Sequence, residues 1–511
     1  PNVGIETLHA GGPLQGVGTL VYNARTTPVT GFAQGITVNE AGPLHDPTAI
    51  MYVLREDVLT TTTTDPVTGA VVTRATGLRP GTPIEPLVLR FHAGDCVTVN
   101  LTNLLPADRL APDLPNYNDM RHAVKRDRQN AEGSTVFGVN HVRPSSNVGF
   151  HLQLLEYDVT RSDGTNVGGN AAQTAAPGGG TAVYTYYAGD LRVGALLRQG
   201  NVNQPDQVQI LATPVEFGSS NILPADRVKQ PQKGLYGQVI VEPQGATISF
   251  PFPGTRATAD ISNVPVQILG QYAVVTPNFR DFASIQTKMG NTRYASGNAV
   301  QNESEEGPGI PENPPHTVMG THNYKTEPTF FRFGIPPLSA AGGAACSPAI
   351  TAPKPANAAD HTCFGSVQNQ GDLFSNVLTG GEDPQTPIWV AAAGTPVRIH
   401  ATIPNSSNRA ITQQIHGHVW ARDPYLASNL DADGFPAQAP GASLGGVGSV
   451  RIGNNPMQMY LGAQESLMGG HHWLFVLPSA GGAFGVTGDY LIRDTAAAGL
   501  GAGSWNILRV E

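Results

Sequence analysis

The sequence predicts an all-β fold of tandem Greek-key β-sandwiches that carry long loop insertions, and two observations favour this class. The chain has 60 Gly and 42 Pro among 511 residues. This is about a fifth of the chain, against a usual combined share of roughly 12%. Both residues destabilise helix interiors, so their abundance favours short strands joined by turns. Long amphipathic helical patterns are absent, and clusters such as "APGGGTAVYTYYAGD" are typical of a turn followed by a strand.

Strand-like runs fall into two sets, with a pause near residues 245–262. The first set includes "AIMYVL", "VGFHLQLLEYDV" and "GLYGQVIVEP". The second includes "VPVQILGQYAVV", "QQIHGHVWA" and "GDYLIRD". Short strands at this spacing are typical of sandwiches or barrels. We therefore predict an N-terminal domain over 1–250 and a C-terminal region over 251–511, with strands in 264–335 and 385–511 and a loop insertion at 339–383.

Several long stretches are rich in Asn, Gln, Gly and Pro and are predicted to be surface insertions. They cover residues 104–140, 190–215, 280–320 and 339–383. Insertions of this size are unusual in a compact domain and are usually functional or interaction segments. We therefore expect protein partners or self-assembly to use them.

Two related phrases indicate an internal duplication. "PLVLRFHAGDCVTVNLTNLLP" in the first set and "PIWVAAAGTPVRIHATIPN" in the second share an extended run, then Ala-Gly-x-x-Val, a strand and an Asn. A Gly-containing turn between two strands explains each phrase locally. Its occurrence in both sets predicts a duplicated sandwich unit.

Charge and hydropathy exclude two classes of partner. The formal net charge is −9, and no basic run interleaved with aromatic residues occurs, so nucleic acid is not expected. The apolar runs end well short of the ~20 residues that span a bilayer, so no membrane span is predicted. The chain begins at Pro1, which we interpret as a mature form after signal removal or a piece of a longer precursor. We expect a secreted, periplasmic or cell-surface location.

The three cysteines divide into a candidate pair and a single residue. Cys346 and Cys363 flank the Pro/Ala-rich stretch "CSPAITAPKPANAADHTC", and we predict a disulfide between them in an oxidising compartment. The alternative is two reduced thiols in a loop. Cys96 lies in "FHAGDCVTVNLTN", where alternation predicts a strand and a buried, inert thiol.

Several phrases, taken together and in order, resemble the multicopper oxidase superfamily, which is built from cupredoxin domains. The resemblance is strongest to the large bacterial copper oxidases associated with manganese oxidation. The phrases are "GPLHDPTAIMYVL", "LVLRFHAGDCVTVNLTN", "NVGFHLQLLEYDVTRSDGTNVGGN", "AAPGGGTAVYTYYAGD", "LPADRVKQPQKGLYGQVIVEPQGA", "NYKTEPTFFR", "IHGHVWARDPY" and "VTGDYLIRD". The resemblance implies cupredoxin-like sandwiches and copper-dependent oxidation.

Most copper ligands that the resemblance implies have no counterpart here. A blue centre needs a Cys thiolate, and no cysteine follows Cys363. The oxygen-reducing centre takes four His-x-His pairs from strands, in which residues i and i+2 share a face. The first pair retains His151 but has Gln153 two positions later, and the second and fourth pairs have no histidine. At the third pair, His416 matches a ligand position and His418 a non-ligand histidine.

The surviving histidines allow two interpretations. In the first, His416 and His418 form a two-imidazole face. A third ligand then completes a mononuclear copper or zinc site, and it comes from His151, His322, His471 or His472. Alternatively they are vestigial positions, packed and hydrogen-bonded within the sheets. The cofactor prediction is correspondingly none, or partial copper.

These observations support two functions from different classes. The first is a secreted or surface protein with a multicopper-oxidase-like scaffold and degenerate copper sites, which acts as a structural, binding or assembly component. The second is a copper-dependent oxidoreductase for Mn(II), another metal or phenols, completed by another chain or a longer precursor. Signatures of a nucleophile elbow, a phosphate loop or a dinucleotide fold are absent.

Overall fold

The computed structural model describes sixteen segments of the chain. These residues are 17–21, 36–39, 44–46, 49–64, 69, 71–105, 145–199, 207–227, 230–269, 272–274, 276–289, 319–327, 370–404, 411–421, 460–495 and 503–511. They form strands, turns and short 3-10 segments, and no α-helix occurs among them. The predicted all-β class is confirmed. No helix within these residues has the length and apolar character needed to cross a membrane.

The first half of the chain contributes fourteen strands to the described structure. They are β1 (Val17–Val21), β2 (Ile36–Asn39), β3 (Leu44–Asp46), β4 (Ile50–Leu54), β5 (Val58–Thr64), β6 (Val71–Leu78), β7 (Leu87–His92), β8 (Cys96–Asn103), β9 (His151–Leu152), β10 (Gly180–Tyr187), β11 (Gly189–Arg198), β12 (Gln207–Pro214), β13 (Gly218–Leu223) and β14 (Gly237–Glu242). Short 3-10 segments lie at Arg55–Asp57 and Pro231–Lys233.

The second half contributes fifteen strands to the described structure. They are β15 (Thr247–Ser249), β16 (Thr258–Ser262), β17 (Gln267–Leu269), β18 (Tyr272–Val274), β19 (Phe279–Met289), β20 (Met319–His322), β21 (Ile388–Ala391), β22 (Val397–Thr402), β23 (Ile411–Ile415), β24 (Trp420–Ala421), β25 (Tyr460–Leu461), β26 (Ala463–Leu467), β27 (His472–Leu477), β28 (Gly488–Asp494) and β29 (Trp505–Val510). Three 3-10 segments lie at Gln370–Asp372, Asn376–Thr379 and Gly482–Phe484.

The first sandwich packs the sheet β10-β8-β1-β4 against the sheet β7-β14-β13-β9. Alternation along β7 explains which residues face inward: Leu87, Leu89 and Phe91 enter the core, and the residues between them face outward. Phe150 lies at the centre of this core, beside the rings of Tyr52 and other tyrosines. The paired strands β8 and β10, and likewise β7 and β14, are separated along the chain by strands of the opposite sheet, as in Greek-key connections.

The second sandwich packs the sheet β15-β16-β19-β22-β27 against the sheet β21-β29-β28-β23-β26. Its core includes Phe282, Ile399, Trp420 and Phe475, all of which are buried. The tandem arrangement of sandwiches agrees with the prediction. The first sandwich uses strands up to β14 and the second begins at β15, whereas the domain division at residue 250 stays a prediction.

The two sandwiches contact each other through the outer faces of two sheets. Strand β13 contacts β22 and β27, and β14 contacts β19. Apolar side chains of β4, β7, β14 and β19 form a cluster at this contact, which includes Val88, Ile240, Ala283 and Ile285. Both faces of the central sheets are therefore buried, one against a core and one against the other sandwich.

The first of the two repeated phrases forms a strand, a tight turn and a strand in the opposite sheet. Strand β7 pairs in parallel with β14, the last strand of its sandwich. At the turn, Ala93 N–H donates to the carbonyl oxygen of Glu242 at 2.9 Å, and Gly94 N–H donates to that of Ala188 at 2.7 Å. These bonds join both sheets at one corner of the sandwich.

The second phrase forms the same arrangement about 300 residues further along the chain. Strand β21 pairs in parallel with β29, again the last strand of its sandwich. Ala393 N–H donates to Glu511 at 2.7 Å, and Gly394 N–H donates to Ala480 at 2.9 Å. Corresponding residues of the two phrases make corresponding backbone bonds, so the predicted duplication of the unit is confirmed at this corner.

The glycines of the two turns provide a matched pair for a stability measurement. Gly94 has φ +90° and Gly394 has φ +80°, a conformation that costs a residue with a Cβ about 1–2 kcal/mol. A Cβ at Gly394 has no heavy atom within 4 Å, whereas one at Gly94 lies 3.1 Å from Cγ of Pro214. We expect Gly394→Ala to cost about 1 kcal/mol of unfolding free energy and Gly94→Ala more, measured by urea denaturation. Equal costs would contradict the assigned contact.

Two of the predicted loop insertions contain strands. Residues 280–289, predicted to belong to an insertion, form most of β19, the central strand of its sheet. That loop prediction was wrong because β19 carries polar residues that are buried on both of its faces rather than solvated. Within the insertion at 190–215, the described residues form the antiparallel strand pair β11–β12. The Cys346–Cys363 pair and most of 104–140 and 339–383 lie outside the described residues. Cys96 begins β8 and is buried, as predicted.

Candidate functional site

His418 lies in a turn, and backbone groups contact both nitrogens of its ring. Strand β23 ends at Ile415, and Gly417 (φ +67°) reverses the chain before His418. Gly481 N–H donates to Nε2 of His418 at 3.1 Å, so Nδ1 carries the proton and donates to the carbonyl oxygen of His416 at 2.9 Å. Burial lowers the pKa of His418, which favours this neutral form. The imidazole therefore links this turn to the backbone at Gly481 through a hydrogen bond.

Replacing His418 with alanine is expected to destabilise the second sandwich by about 2 kcal/mol, because it leaves the Gly481 N–H without its acceptor and the His416 carbonyl without its donor. Urea denaturation at about pH 7.5 would measure the change, since the neutral imidazole prevails there. His416→Ala is the matched control, since it removes an exposed imidazole two residues away and should change stability by less than about 0.5 kcal/mol. Similar losses in both variants would contradict a structural role specific to His418.

His416 differs from His418 in its exposure. Its backbone N–H donates to Leu491, and its side chain is exposed. Partial burial and then the nearby charge of Arg493 lower its pKa. The predicted two-imidazole face requires residues 416 and 418 to lie on one strand, but both follow the end of β23. The prediction that both histidines lie on one strand was therefore wrong, because the strand ends at Ile415 and Gly417 turns the chain between them.

His151 has a different environment, at the edge of the first sandwich. It begins β9 and is buried, and its Nδ1 contacts the carbonyl oxygen of Asp163 at 2.7 Å. Tyr157 donates to the carboxylate of Asp163 at 3.0 Å. The amide of Gln153 lies 3.4 Å from Nε2 of His151. Burial, followed by the charge of Arg227, lowers the pKa of His151, so its neutral form prevails at neutral pH.

His322, one of the candidates for a third ligand, is enclosed in the second sandwich. Its Nε2 lies 2.8 Å from the hydroxyl of Ser284, and its ring meets Trp389 edge-on at 5.1 Å. Burial lowers the pKa of His322 to about 3. This histidine is neutral at any physiological pH and packs as a core residue.

The described donors do not fit a copper ion. His471 accepts a hydrogen bond from the Met468 N–H through Nδ1 in a turn, and His472 is the first residue of β27. Among the described residues, no three His, Cys, Asp or Glu side chains are placed to hold a metal ion. The assignment of His151, His416 and His418 as metal ligands stays a prediction from the sequence.

A cluster of charged side chains lies in the contact between the sandwiches. Arg90 on β7 donates from Nη1 to Glu242 on β14 at 2.5 Å and to Asp281 on β19 at 2.9 Å. All three side chains are fully or almost fully buried. His400 on β22 contacts the second oxygen of Asp281 through Nε2 at 2.7 Å. One guanidinium thus bridges acids from both sandwiches.

A second ion pair extends this cluster along the same contact. Arg398 donates to Glu216 at 2.7 Å, and both side chains are buried. The guanidinium of Arg398 also lies 3.9 Å above the ring of Phe279. We refer to these charged groups together as the interface cluster, which consists of Arg90, Glu216, Glu242, Asp281, Arg398 and His400.

The pKa values of the two acids that Arg90 bridges are shifted in opposite directions. Burial raises the pKa of Glu242 to about 7, with the nearby charge of Asp281 adding to the effect. Burial also opposes ionisation of Asp281, but the charges of His400 and Arg90 and their hydrogen bonds lower its pKa to about 2. Asp281 is therefore the ionised member of the pair, and Glu242 is the member that can hold a proton.

The sequence contains a signal for the interface cluster, in the polar residues of three apolar strands. Strands "LVLRFH", "GQVIVE" and "VRIHAT" each place a charged or titratable residue on the face opposite an apolar core face. Alternation alone predicts that such a face is solvated. A second sandwich covers it instead, and one sequence does not show which faces meet.

The fold and the site together define an all-β protein of two stacked sandwiches with a buried charge cluster between them. No protein-family model matches the sequence, and no curated protein matches it.

Solved structures give matches of low similarity. Copper nitrite reductase from Nitrosomonas europaea matches with 12% identity and a TM-score of 0.35, over 89% of this chain and 92% of that one. A multicopper oxidase crystal structure matches with 13% identity and a TM-score of 0.35, over 88% and 93%. A blue copper oxidase from Nitrosomonas europaea matches with 12% identity and a TM-score of 0.34, over 89% and 83%. At this level the matches assign neither a family nor an activity.

Proposed function

We propose that the chain is a non-catalytic structural or assembly protein, located outside the cytoplasm, on a scaffold like that of the multicopper oxidases. The resemblance of its sequence phrases to that superfamily supports the scaffold. The vacant ligand positions in those phrases support the loss of copper chemistry.

The single observation that carries this proposal is at the first ligand pair, where the amide of Gln153, rather than a second imidazole, lies 3.4 Å from Nε2 of His151. The environment of His418 in addition speaks against a single-metal site at His416 and His418. A histidine that binds a metal uses one ring nitrogen for the ion. In His418, Nε2 accepts from Gly481 and Nδ1 donates to His416. Copper binding would break one of these bonds within a turn that contacts Tyr490.

Metal analysis of the purified chain, combined with electron paramagnetic resonance, tests this proposal. We expect well under one copper ion per chain after copper loading and no thiolate-to-copper absorption band. About four copper ions per chain with such a band would overturn it, because that content requires the full ligand sets of a multicopper oxidase. His416→Ala and His418→Ala should leave the metal content unchanged.

A copper-dependent oxidoreductase completed by another chain or a longer precursor is the second candidate. One observation favours it: Nδ1 of His151 contacts the carbonyl oxygen of Asp163 at 2.7 Å. Metal-binding histidines usually use their second nitrogen in this way. Under this alternative, copper would be retained only in a complex with a second chain, and His151→Ala would abolish that retention.

The proposed assembly surface is the hairpin β11–β12, which lies in an insertion that the sequence assigns to partners. It forms a sheet of its own in the described structure, and isolated two-stranded sheets with open edges tend to pair with other strands. Val193 on this hairpin is 69% exposed.

Introducing a carboxylate into the β11–β12 hairpin should weaken self-association. We expect Val193→Asp to reduce the apparent mass in light scattering at high protein concentration, because a buried contact would then include an unpaired carboxylate. Val377→Asp is the control, since Val377 is exposed elsewhere, in a 3-10 segment. Association unchanged in Val193→Asp would exclude the hairpin as the surface.

A further inference from the structure

The interface cluster has an unbalanced set of charges. Its three carboxyl groups, Glu216, Glu242 and Asp281, face two guanidinium groups, those of Arg90 and Arg398. With all five of these groups ionised, the cluster by itself carries one net negative charge unless a further proton is bound. A net charge without water contact is costly, so burial favours the protonated cluster.

The hydrogen bonds indicate where that proton can reside. Both oxygens of Asp281 accept bonds, from Arg90 and from His400. Glu242 accepts from Arg90 through Oε1, but its buried Oε2 has no partner within the described structure. Nδ1 of His400 is buried and, among the same residues, also has no partner. Glu242 Oε2 can therefore take up a proton without breaking a bond, and so can Glu216 Oε2, which is likewise buried without a partner among these residues.

Other titratable groups lie around the interface cluster. His92 on β7 and Glu242 influence each other electrostatically, and His472 on β27 and His400 do the same. His92 is half-buried and contacts the carboxylate of Asp95 at 3.5 Å. Its Nε2 lies 2.8 Å from the carbonyl oxygen of Ala246, so both ring nitrogens face groups outside the cluster. The two histidines therefore modulate the charge of the cluster from its edges.

We propose that the interface cluster binds one proton in mildly acidic solution, on Glu242, and that its release near neutral pH weakens the contact between the two sandwiches. The cluster thereby makes the association of the sandwiches sensitive to pH. This inference is independent of the copper content of the chain.

The expected direction of the effect follows from linkage. The pKa of Glu242 rises from 4.5 in the unfolded chain to about 7, so its contribution to stability is complete below about pH 4.5 and is lost as the pH rises to about 7. The lowered pKa of Asp281 acts in the opposite direction, since its contribution is lost as the pH falls from 3.8 to about 2. The combined contribution of Glu242 and Asp281 to stability should be largest near about pH 4 to 5, between these two intervals.

Urea denaturation of the full chain between about pH 4.5 and 7.5 tests the proposal, because this range spans the titration of Glu242. The lowered pKa values of buried histidines, such as that of His322, raise stability over the same range, so the wild-type midpoint is compared with that of Glu242→Gln at each pH. Because Glu242→Gln resembles the protonated acid at every pH, its midpoint should exceed the wild-type value by an amount that grows from about pH 4.5 to about pH 7.5. Asp489→Asn is the control, because Asp489 forms an exposed ion pair with Arg509 and its loss should leave the pH dependence intact. A wild-type pH dependence in Glu242→Gln would overturn the proposal.

Infrared difference spectroscopy tests the same proton in the wild-type chain, so the test stands even where the variant fails to fold. A protonated carboxyl band should persist above about pH 5.5, where exposed acids are ionised; burial also raises the pKa of Glu85 and of Glu216, and the component of the band from Glu242 should disappear by about pH 8. Hydrogen exchange of the β14 and β22 amides should accelerate over the same interval. Absence of the band in that interval, or exchange that does not change with pH, would overturn the proposal.

Discussion

Arg90→Met is expected to destabilise the protein strongly, by about 3–5 kcal/mol of unfolding free energy, because a buried carboxylate without its partner is far more costly than a missing surface pair. Methionine keeps the apolar stem but removes the guanidinium that bridges Glu242 and Asp281. The bonds from Arg90 to the carbonyl oxygens of Arg256 and Ala257 are lost as well. Urea denaturation followed by circular dichroism would measure the change.

Arg509→Met is the matched control for the bridging arginine. Arg509 bonds to Asp383 and Asp489, but all three side chains are partly exposed. Its loss should cost less than about 1 kcal/mol. The double variant Arg90→Met, Glu242→Gln should be more stable than the sum of the single changes predicts, because one of the orphaned acids becomes neutral. Equal losses in Arg90→Met and Arg509→Met would show that the buried cluster is not energetically special.

Phe282→Ala is expected to cost about 3–5 kcal/mol, the usual range for a large aromatic residue in a core. Phe282 is fully buried and stacks on Trp389 with ring centroids 5.1 Å apart. The cavity would remove a contact between the two sheets of the second sandwich. All four tryptophans of the chain, at 389, 420, 473 and 505, belong to that sandwich. Tryptophan fluorescence during urea denaturation therefore reports this change directly.

Phe484→Ala provides the control with the same chemical change. Phe484 is 92% exposed in a 3-10 segment of the same sandwich. Its removal should alter the free energy of unfolding by less than about 0.5 kcal/mol. A Phe282→Ala cost below about 1 kcal/mol would mean that the core reorganises to fill the space, or that the two rings do not stack.

Local patterns were sufficient to predict the strands and the repeated corner. The alternation in "LVLRFH" and "CVTVNLTN" follows from the two-residue period of a strand, and β7 and β8 form there. The paired Ala-Gly turns were visible because a tight corner requires a residue that tolerates positive φ, as Gly94 and Gly394 do.

The candidate site was less accessible to such reasoning. His416 and His418 have the spacing of two ligands on one strand, but the glycine between them adopts a positive φ and follows the end of the strand. In β19, Asp281 and Gln286 looked like loop residues because their composition is polar. Both are buried by strands distant in sequence, and a polar residue looks the same in the sequence whether water or protein satisfies it.

The amino-acid sequence by itself determined the class of fold, the short strands and the duplicated corner, because these depend on neighbours within a few residues. The tertiary structure decided which outer faces meet, and so placed Arg90, Glu242, Asp281 and His400 together in a buried contact. The physical reason is that the energy of a charge depends on its surroundings far more than on its neighbours in the chain, so burial between two sandwiches turns ordinary acids into a cluster that binds a proton.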